Sequence, residues 1–281
     1  MAHIDLHVHS SFSDGSCSPQ ELIDLALKSE LSALALCDHD TTTGLKIFQD
    51  YGKAAGLSVI SGVEISATWE KGNCHILGLG IKPGHEQLEA ALLQIRQGRD
   101  SRNEVILDKL KKLDVHVSLD EVRQIAGKEV IARPHIAQIM VNKGYTASVQ
   151  EAFDRFLAKG SPAYFNRFRL EPAAAVSILD QAGGVAVLAH PSQLKLDAAG
   201  LDAFVRELIP HGLKGLEVFT PYSSDNEIAD FINIADKYSL VKTGGSDFHG
   251  HCKPVHDLGF YGKDKPIPRG CLDELEKALD Y

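Results

Sequence analysis

Ile4-Asp5-Leu6-His7-Val8-His9 is the stretch on which the fold turns. Its residues alternate apolar and polar with the period of two that marks a β-strand. On that period Ile4, Leu6 and Val8 share one face, and Asp5, His7 and His9 share the other. Buried without partners, each such polar group would cost about 2–7 kcal/mol. Metal coordination supplies the partners, because imidazole and carboxylate are protein ligands of zinc, manganese and iron. Such a strand suits the centre of an α/β enzyme, with its apolar face on helices and its ligands at the C-terminal strand ends.

Outward from this strand, the segments 33–37, 58–66, 75–81, 184–189, 215–219 and 240–244 read as six more strands, alternating with helix-type runs. Ser18-Pro19-Gln20-Glu21 predicts a helix start, with Ser at the N-cap, Pro in the first turn and Glu closing a capping box. A further helix is predicted over 43–55. From about 86 to 168 the strand signal is almost absent. Leu88, Leu92 and Ile95 fall on one helix face, as do Ile106, Leu110 and Leu113. Ser118-Leu119-Asp120-Glu121 and Ser148-Val149-Gln150-Glu151 are two more capping boxes, the second opening a helix that ends at Gly160. The expected organisation is a discontinuous α/β domain over 1–99 and 169–281, interrupted by a small helical insertion over 100–168 that covers the active site.

Composition narrows the function. A net charge of −9 excludes a broad duplex-binding face, which needs a basic stripe. It leaves room for a small anionic substrate if bound cations reverse the local field. No apolar run is long enough to span a membrane, and the opening residues are not those of a signal peptide. The five cysteines, Cys17, Cys37, Cys74, Cys252 and Cys271, lack paired spacing and fit a reducing cytoplasm. There is no G-x-x-x-x-G-K-[ST] loop and no G-x-S-x-G elbow, so P-loop and α/β-hydrolase chemistry are set aside.

The ligand-type residues recur at the expected strand ends. Asp38-His39-Asp40 closes the second strand, and Glu64, flanked by Val63 and Ile65, is placed to bridge two ions. Asp247 and His249 stand two apart after Gly244-Gly245. Asp14 lies in a Ser-Asp-Gly-Ser loop, and His75, His135 and His190 are single histidines. Arg133, two residues before His135 at a helix start, suits bidentate capture of phosphoryl oxygens or is an exposed arginine.

Taken in order, Asp5-Leu6-His7-Val8-His9-Ser10, Asp14-Gly15, Asp38-His39-Asp40, Glu64, His75, His135, His190-Pro191 and Asp247-Phe248-His249 resemble the polymerase and histidinol phosphatase (PHP) family over nearly the whole chain. The resemblance implies a distorted (β/α)7 barrel with a three-metal site. It implies that His7, His9, Glu64 and Asp247 hold one ion, Glu64 with His75 and His135 a second, and Asp14, His39 and His249 the third. Several family members have histidine in place of Asp14. A carboxylate there keeps a ligand and hardens the site, favouring manganese, with zinc or iron as alternatives. His190 and Arg133 would face the substrate phosphate, and His190 or Asp38 would protonate the leaving oxygen.

The helical segment and the stretch Ala163-Tyr164-Phe165-Asn166-Arg167-Phe168 are similar to bacterial PHP nucleotide phosphatases, which remove the 3′-phosphate from nucleoside 3′,5′-bisphosphates. Some relatives trim short RNA from its 5′ end. Tyr164, Phe165 or Phe168 would stack a base and Arg167 or Arg169 meet a phosphate, or these residues only join the insertion to the barrel. The alternatives are a histidinol-phosphate phosphatase and a non-catalytic metal-binding module.

Overall fold

The computed structural model describes residues 3–126, 131, 133–253 and 256–279. Seven strands form one sheet in chain order: β1 (His3–Val8), β2 (Leu31–Leu36), β3 (Ser58–Ala67), β4 (Cys74–Leu79), β5 (Val185–Leu188), β6 (Leu213–Phe219) and β7 (Val241–Gly244). The pairs β1–β2, β2–β3, β5–β6 and β6–β7 are parallel, and β4 is antiparallel to both neighbours. The connection from β3 to β4 is too short for a crossover, so only a hairpin is open to it. The architecture is therefore α/β with a mostly parallel sheet. At the two ends of the strand order, Val8 forms an isolated parallel bridge with Phe248, and the His9 N–H donates to the Phe248 carbonyl (2.9 Å). Gly245 permits this approach, since a Cβ there would lie 2.1 Å from His7 Cβ.

The chain divides into two compact units, Met1–Leu92 with Leu170–Tyr281, and Leu93–Arg169. In the first, Ile4 and Leu6 are buried in one cluster with Ala33, Ala35, Leu77, Leu79, Val185 and Val187. A closing helix adds Cys271, Leu272 and Leu275 to that cluster. β1 departs from the strict alternation expected of it. Its register slips between Asp5 and Val8, where three steps in β1 face two in β2. A bulge of this kind re-aims the side chains that follow it, and Asp5 does not join His7 and His9. Its carboxylate instead accepts from Ser246 N–H (3.0 Å), Gly259 N–H (2.8 Å) and the freed His7 N–H (3.2 Å).

The predicted cap of α1 (Pro19–Lys28) forms in full, Ser18 and Glu21 each accepting the other's N–H. The next helix, α2 (Leu45–Ala55), starts two residues later than expected, with Gly44 as its N-cap. The unit boundary falls within α3 (Glu86–Lys111). The second unit also contains α4 (Leu119–Ala126), α5 (Arg133–Asn142) and α6 (Val149–Ala152), and its core includes Ile106, Leu110, Val122, Ile136, Met140 and Leu157. Leu113 is not part of that core. α3 stops at Lys111, Asp114 turns left-handed, and Leu113 is 41% exposed. The box at Ser148 is half-formed: Ser148 Oγ accepts from Glu151 N–H, but Glu151 reaches past it to Ala147 N–H (2.7 Å). In the first unit the remaining helices are α7 (Pro172–Gln181), α8 (Ala198–Leu208), α9 (Asp225–Tyr238) and α10 (Gly270–Ala278). A small hairpin, Phe260–Gly262 with Lys265–Pro266, was not expected from the sequence. No helix among the described residues is long and apolar enough to cross a membrane.

Candidate metal centre

The ligand-type side chains converge from several strands, but not all from C-terminal strand ends: His75 comes from the N-terminal end of β4, which is antiparallel to its neighbours. β1 carries His7, with His9 just beyond it. The turn after β2 carries His39, β3 carries Glu64, β4 carries His75, and the segment after β7 carries Asp247 and His249. Their side chains form three overlapping groups of potential ligands: His7, His9, Glu64 and Asp247; His39, Glu64 and His75; and His9, Asp14, His39 and His249. Glu64 joins the first two. Its Oε2 lies 3.3 Å from His7 Nε2, 3.2 Å from His9 Nε2 and 3.0 Å from His39 Nδ1, while Oε1 lies 2.8 Å from His75 Nδ1. Asp247 Oδ1 completes the first group, 3.0 Å from His9 Nε2. Asp14 anchors the last, with Oδ1 3.2 Å from His249 Nε2 and Oδ2 3.7 Å from His39 Nε2.

Two imidazoles are held in the tautomer a metal needs. His7 Nδ1 lies 2.9 Å from Glu217 Oε1, which leaves Nε2 to face Glu64 and Asp247. His249 Nδ1 lies 2.7 Å from the Asp247 carbonyl, which can only accept, so Nε2 is the free donor atom. A histidine whose far nitrogen is fixed by an acceptor is the usual second layer of a metal site. Several buried atoms at the centre, His9 Nδ1, His39 Nδ1, Glu64 Oε2 and His249 Nε2, have no hydrogen-bond partner among the described residues. Carboxylates stand near them without meeting hydrogen-bond geometry, and the ligand atoms of each group lie within 4.8 Å of one another. Imidazole and carboxylate sets with that geometry fit divalent cations.

Comparison with known proteins decides the family. The PHP domain profile matches residues 5–164. The chain belongs to the PHP family. It is 34% identical over 280 residues, 99% of its own length and 98% of the relative's, to a 3′,5′-nucleoside bisphosphate phosphatase of Chromobacterium violaceum. It is 32% identical over 257 residues, 91% of its length and 87% of the relative's, to the 5′-3′ exoribonuclease Rnm of Escherichia coli. Among solved structures, an amidohydrolase of Chromobacterium violaceum with bound sulfate superposes with a TM-score of 0.81 at 33% identity, covering 98% of this chain and 96% of that one. A Bifidobacterium adolescentis protein assigned as a metal-dependent phosphoesterase gives 0.80 at 29%, with the same coverage. The chain is accordingly a hydrolase of the metal-dependent phosphoesterase class.

The PHP centre is electrostatically divided. Burial alone would lower both His7 and His9. Glu217 and Glu64 instead raise His7 well above the ordinary imidazole range, and Asp247 and Glu64 raise His9 to about 9. Burial holds His39 and His249 below that range, aided by the charge of His9. Burial works against ionisation of Glu64 and Asp247, but the surrounding histidines keep both well below the carboxylate range. Protons on His7 and His9 thus balance the carboxylates, and these are the protons that divalent cations would displace.

Strain marks the same place. Asp40, His190 and Asp247 are non-glycine residues with φ of 55°, 26° and 51°. Such backbone costs about 1–3 kcal/mol per residue and collects at functional sites. Asp40 is held by Ser66, whose N–H it accepts at 2.9 Å.

Other expected residues are placed as follows. His190 reaches the centre, with Nε2 2.9 Å from Glu64 Oε1. Asp38 is buried with both oxygens taken: Oδ1 accepts from Ser10 N–H (2.7 Å) and Ser13 Oγ (2.6 Å), and Oδ2 from Ser10 Oγ (2.6 Å). It pins the loop after β1. His135, on the first turn of α5, belongs to the second unit and to none of the three groups. Arg133 donates to the Leu157 carbonyl (3.0 Å) and lies 5.5 Å over the Tyr164 ring. Phe165 and Phe168 are 43% and 48% exposed.

The sequence reading missed Glu217, Tyr222 and Lys253. Glu217 was detectable as a lone carboxylate inside an apolar strand, where an unpaired charge is too costly to be incidental. Tyr222 and Lys253 Nζ (2.9 Å) both donate to Asp247 Oδ2, and nothing in their local sequence signals it.

Proposed function

We propose that this PHP enzyme removes the 3′-phosphate of nucleoside 3′,5′-bisphosphates, releasing a nucleoside 5′-monophosphate and phosphate. The observation that supports this reading is 34% identity across 280 residues to a phosphatase of that name. In this reading the strand order closes into a (β/α)7 barrel, with 100–168 as its helical insertion. Its centre takes three divalent ions, manganese foremost. His7, His9, Glu64 and Asp247 hold the first, Glu64 and His75 contribute to the second, and Asp14, His39 and His249 hold the third. Bound cations of this kind polarise phosphoryl oxygens and lower the pKa of water to about 7.

The chain's own residues do the rest. Glu64, shared between two groups, sets the spacing of the centre. Lys253 and Tyr222 hold Asp247 by its outer oxygen. With His190 Nε2–H on Glu64, its Nδ1, which has no hydrogen-bond partner among the described residues, is the ring atom that would give a proton to the departing 3′-oxygen from the imidazolium form.

Phosphate release with added manganese tests the reading, using adenosine 3′,5′-bisphosphate, AMP, histidinol phosphate and a 5′-phosphorylated oligoribonucleotide. The expected result is preferential release from the bisphosphate with 5′-AMP as product. Inertness toward the bisphosphate, or 3′-AMP as product, overturns it. Similarity to the exoribonuclease supports a second reading, 5′→3′ trimming of short RNA. Mononucleotides leaving from the 5′ end would identify that activity.

A further inference from the structure

Asp247 presents one oxygen to the metal centre and has the other tied down. The residue is 3% exposed, and its main-chain carbonyl lies 2.7 Å from His249 Nδ1 and 3.2 Å from His256 Nδ1. Its Oδ1 faces the ligand nitrogens, 3.0 Å from His9 Nε2 and 3.5 Å from His7 Nε2. Its Oδ2 accepts from the Tyr222 hydroxyl and from Lys253 Nζ (2.9 Å). Tyr222 is fixed in turn, its ring in edge-on contact with those of His190 and His256, with centroids 5.6 and 5.1 Å away.

This arrangement decides how many oxygens Asp247 gives. A carboxylate beside a divalent cation binds through one oxygen or through two. Each oxygen has two lone-pair sites, and on Oδ2 Tyr222 and Lys253 take one each. The first group then offers four protein donors, one each from His7, His9, Glu64 and Asp247. A second oxygen from Asp247 would compete with water or a phosphoryl oxygen for the same ion, whereas catalytic ions need a position that protein does not fill. Affinity for metal does not account for Lys253. An ammonium on the far side of a ligand carboxylate repels the cation that carboxylate would hold.

We propose that Tyr222 and Lys253 are positioning residues that restrict Asp247 to one ligand oxygen and so keep a coordination position of the first ion free of protein. This rests on the assignment of Asp247 to the first ion, and is independent of which nucleotide is the substrate.

Tyr222→Phe, Lys253→Met and the double variant test it. Phenylalanine keeps the ring contacts, methionine keeps the stem of the lysine, and Lys253→Arg keeps both charge and donor. The first readout is manganese affinity by chelator competition, expected to be equal or higher in both single variants and highest in the double. A merely structural role predicts the reverse, since losing a supporting partner typically costs about 10- to 100-fold in affinity. The second readout is the infrared difference between metal-loaded and metal-free protein carrying isotope-labelled aspartate. The gap between antisymmetric and symmetric carboxylate stretches should narrow in the double variant, as Oδ2 joins Oδ1 on the ion. The third is kcat on p-nitrophenyl phosphate, expected to fall about 10- to 100-fold in the double variant and to stay near the unmodified value in Lys253→Arg.

Weaker manganese binding in Tyr222→Phe and Lys253→Met, or an unchanged stretching gap in the double variant, overturns the inference and leaves the ligand assignment standing. Asp247→Ala separates the two. If it binds manganese as tightly as the unmodified protein, Asp247 is not a ligand and the assignment falls together with the inference. Should the double variant not fold, Tyr222→Phe decides, because it frees one site on Oδ2 without changing a charge.

Discussion

Glu217→Gln keeps the shape of the buried side chain and changes only which atoms accept. Glu217 Oε1 lies 2.9 Å from His7 Nδ1, and Oε2 accepts the His190 N–H at 2.7 Å. A carboxylate serves both donors; an amide cannot. If its oxygen stays on His7, its NH2 meets the His190 N–H, and two donors confront each other in a dry site at a cost of about 1–3 kcal/mol. If it flips, the NH2 faces His7 Nδ1, the ring proton moves to Nε2, and His7 can no longer ligate. Either outcome weakens the first group of ligands. Loss of such an orienting partner typically costs about 10- to 100-fold in metal affinity, or roughly 1.4–2.7 kcal/mol. Chelator-competition titration with manganese and with zinc measures it directly, and a metal-loaded melting curve checks it, because bound metal stabilises by mass action. Affinity within twofold of the unmodified protein for both ions would refute the assignment of Glu217 as the group that orients His7.

Further expectations concern pH, a loop and a glycine. In the metal-free protein, the folded pKa of His9 stands above its ordinary 6.5, at about 9. Its contribution, roughly 3 kcal/mol, is full below pH 6.5 and lost as pH rises through about 9. Urea midpoints of metal-free protein should therefore fall across that window, while metal affinity rises because cations and protons compete; a flat profile would contradict the charge arrangement. Asp38→Asn should slow p-nitrophenyl phosphate and a nucleoside 3′-phosphate by the same factor, because a loop pin acts on all esters alike; a loss confined to the poorer leaving group would restore Asp38 as proton donor. Gly245→Ala would bring a Cβ to 2.8 Å from the His7 nitrogen, so it should destabilise by about 1–3 kcal/mol or more and empty the centre of metal, measured by denaturation and metal content.

Period and residue type were enough to find the strands in order and most of the centre, and the failures share a cause. Asp5 and Asp38 looked like Glu64 in the sequence, each a carboxylate beside apolar strand residues. They differ in what saturates them. Ser246, Gly259 and the His7 N–H close on Asp5 with four hydrogen bonds, and Ser10 and Ser13 close on Asp38 with three, so both carboxylates are held by neighbouring donors. Glu64 has the opposite surroundings, imidazoles and one oxygen without a hydrogen bond. The serines beside Asp38 were readable, at 10 and 13, but their closure depends on β1 lying next to β2. Ser246, adjacent in space to Asp5 and 241 positions away in sequence, was not. The bulge in β1 is the same kind of omission, since an extra residue in one strand is defined only against its partner.

Glu217 shows where such reading can improve. A carboxylate inside a buried apolar strand must be answered by a cation or by donors, and a histidine on a neighbouring element supplies both. Its place follows from chemistry: a metal ligand needs one nitrogen free, so the other must be occupied, and only an acceptor can occupy it without taking the wrong proton. Any centre built from strand-end histidines should therefore bring a second tier of acceptors. Here Glu217 serves His7 and the Asp247 carbonyl serves His249. The strained left-handed backbone of Asp247 belongs to the same device, because that residue offers a carboxylate oxygen to the first ligand group and its carbonyl to His249. Relaxing that turn would cost the site a ligand and an orienting acceptor at once.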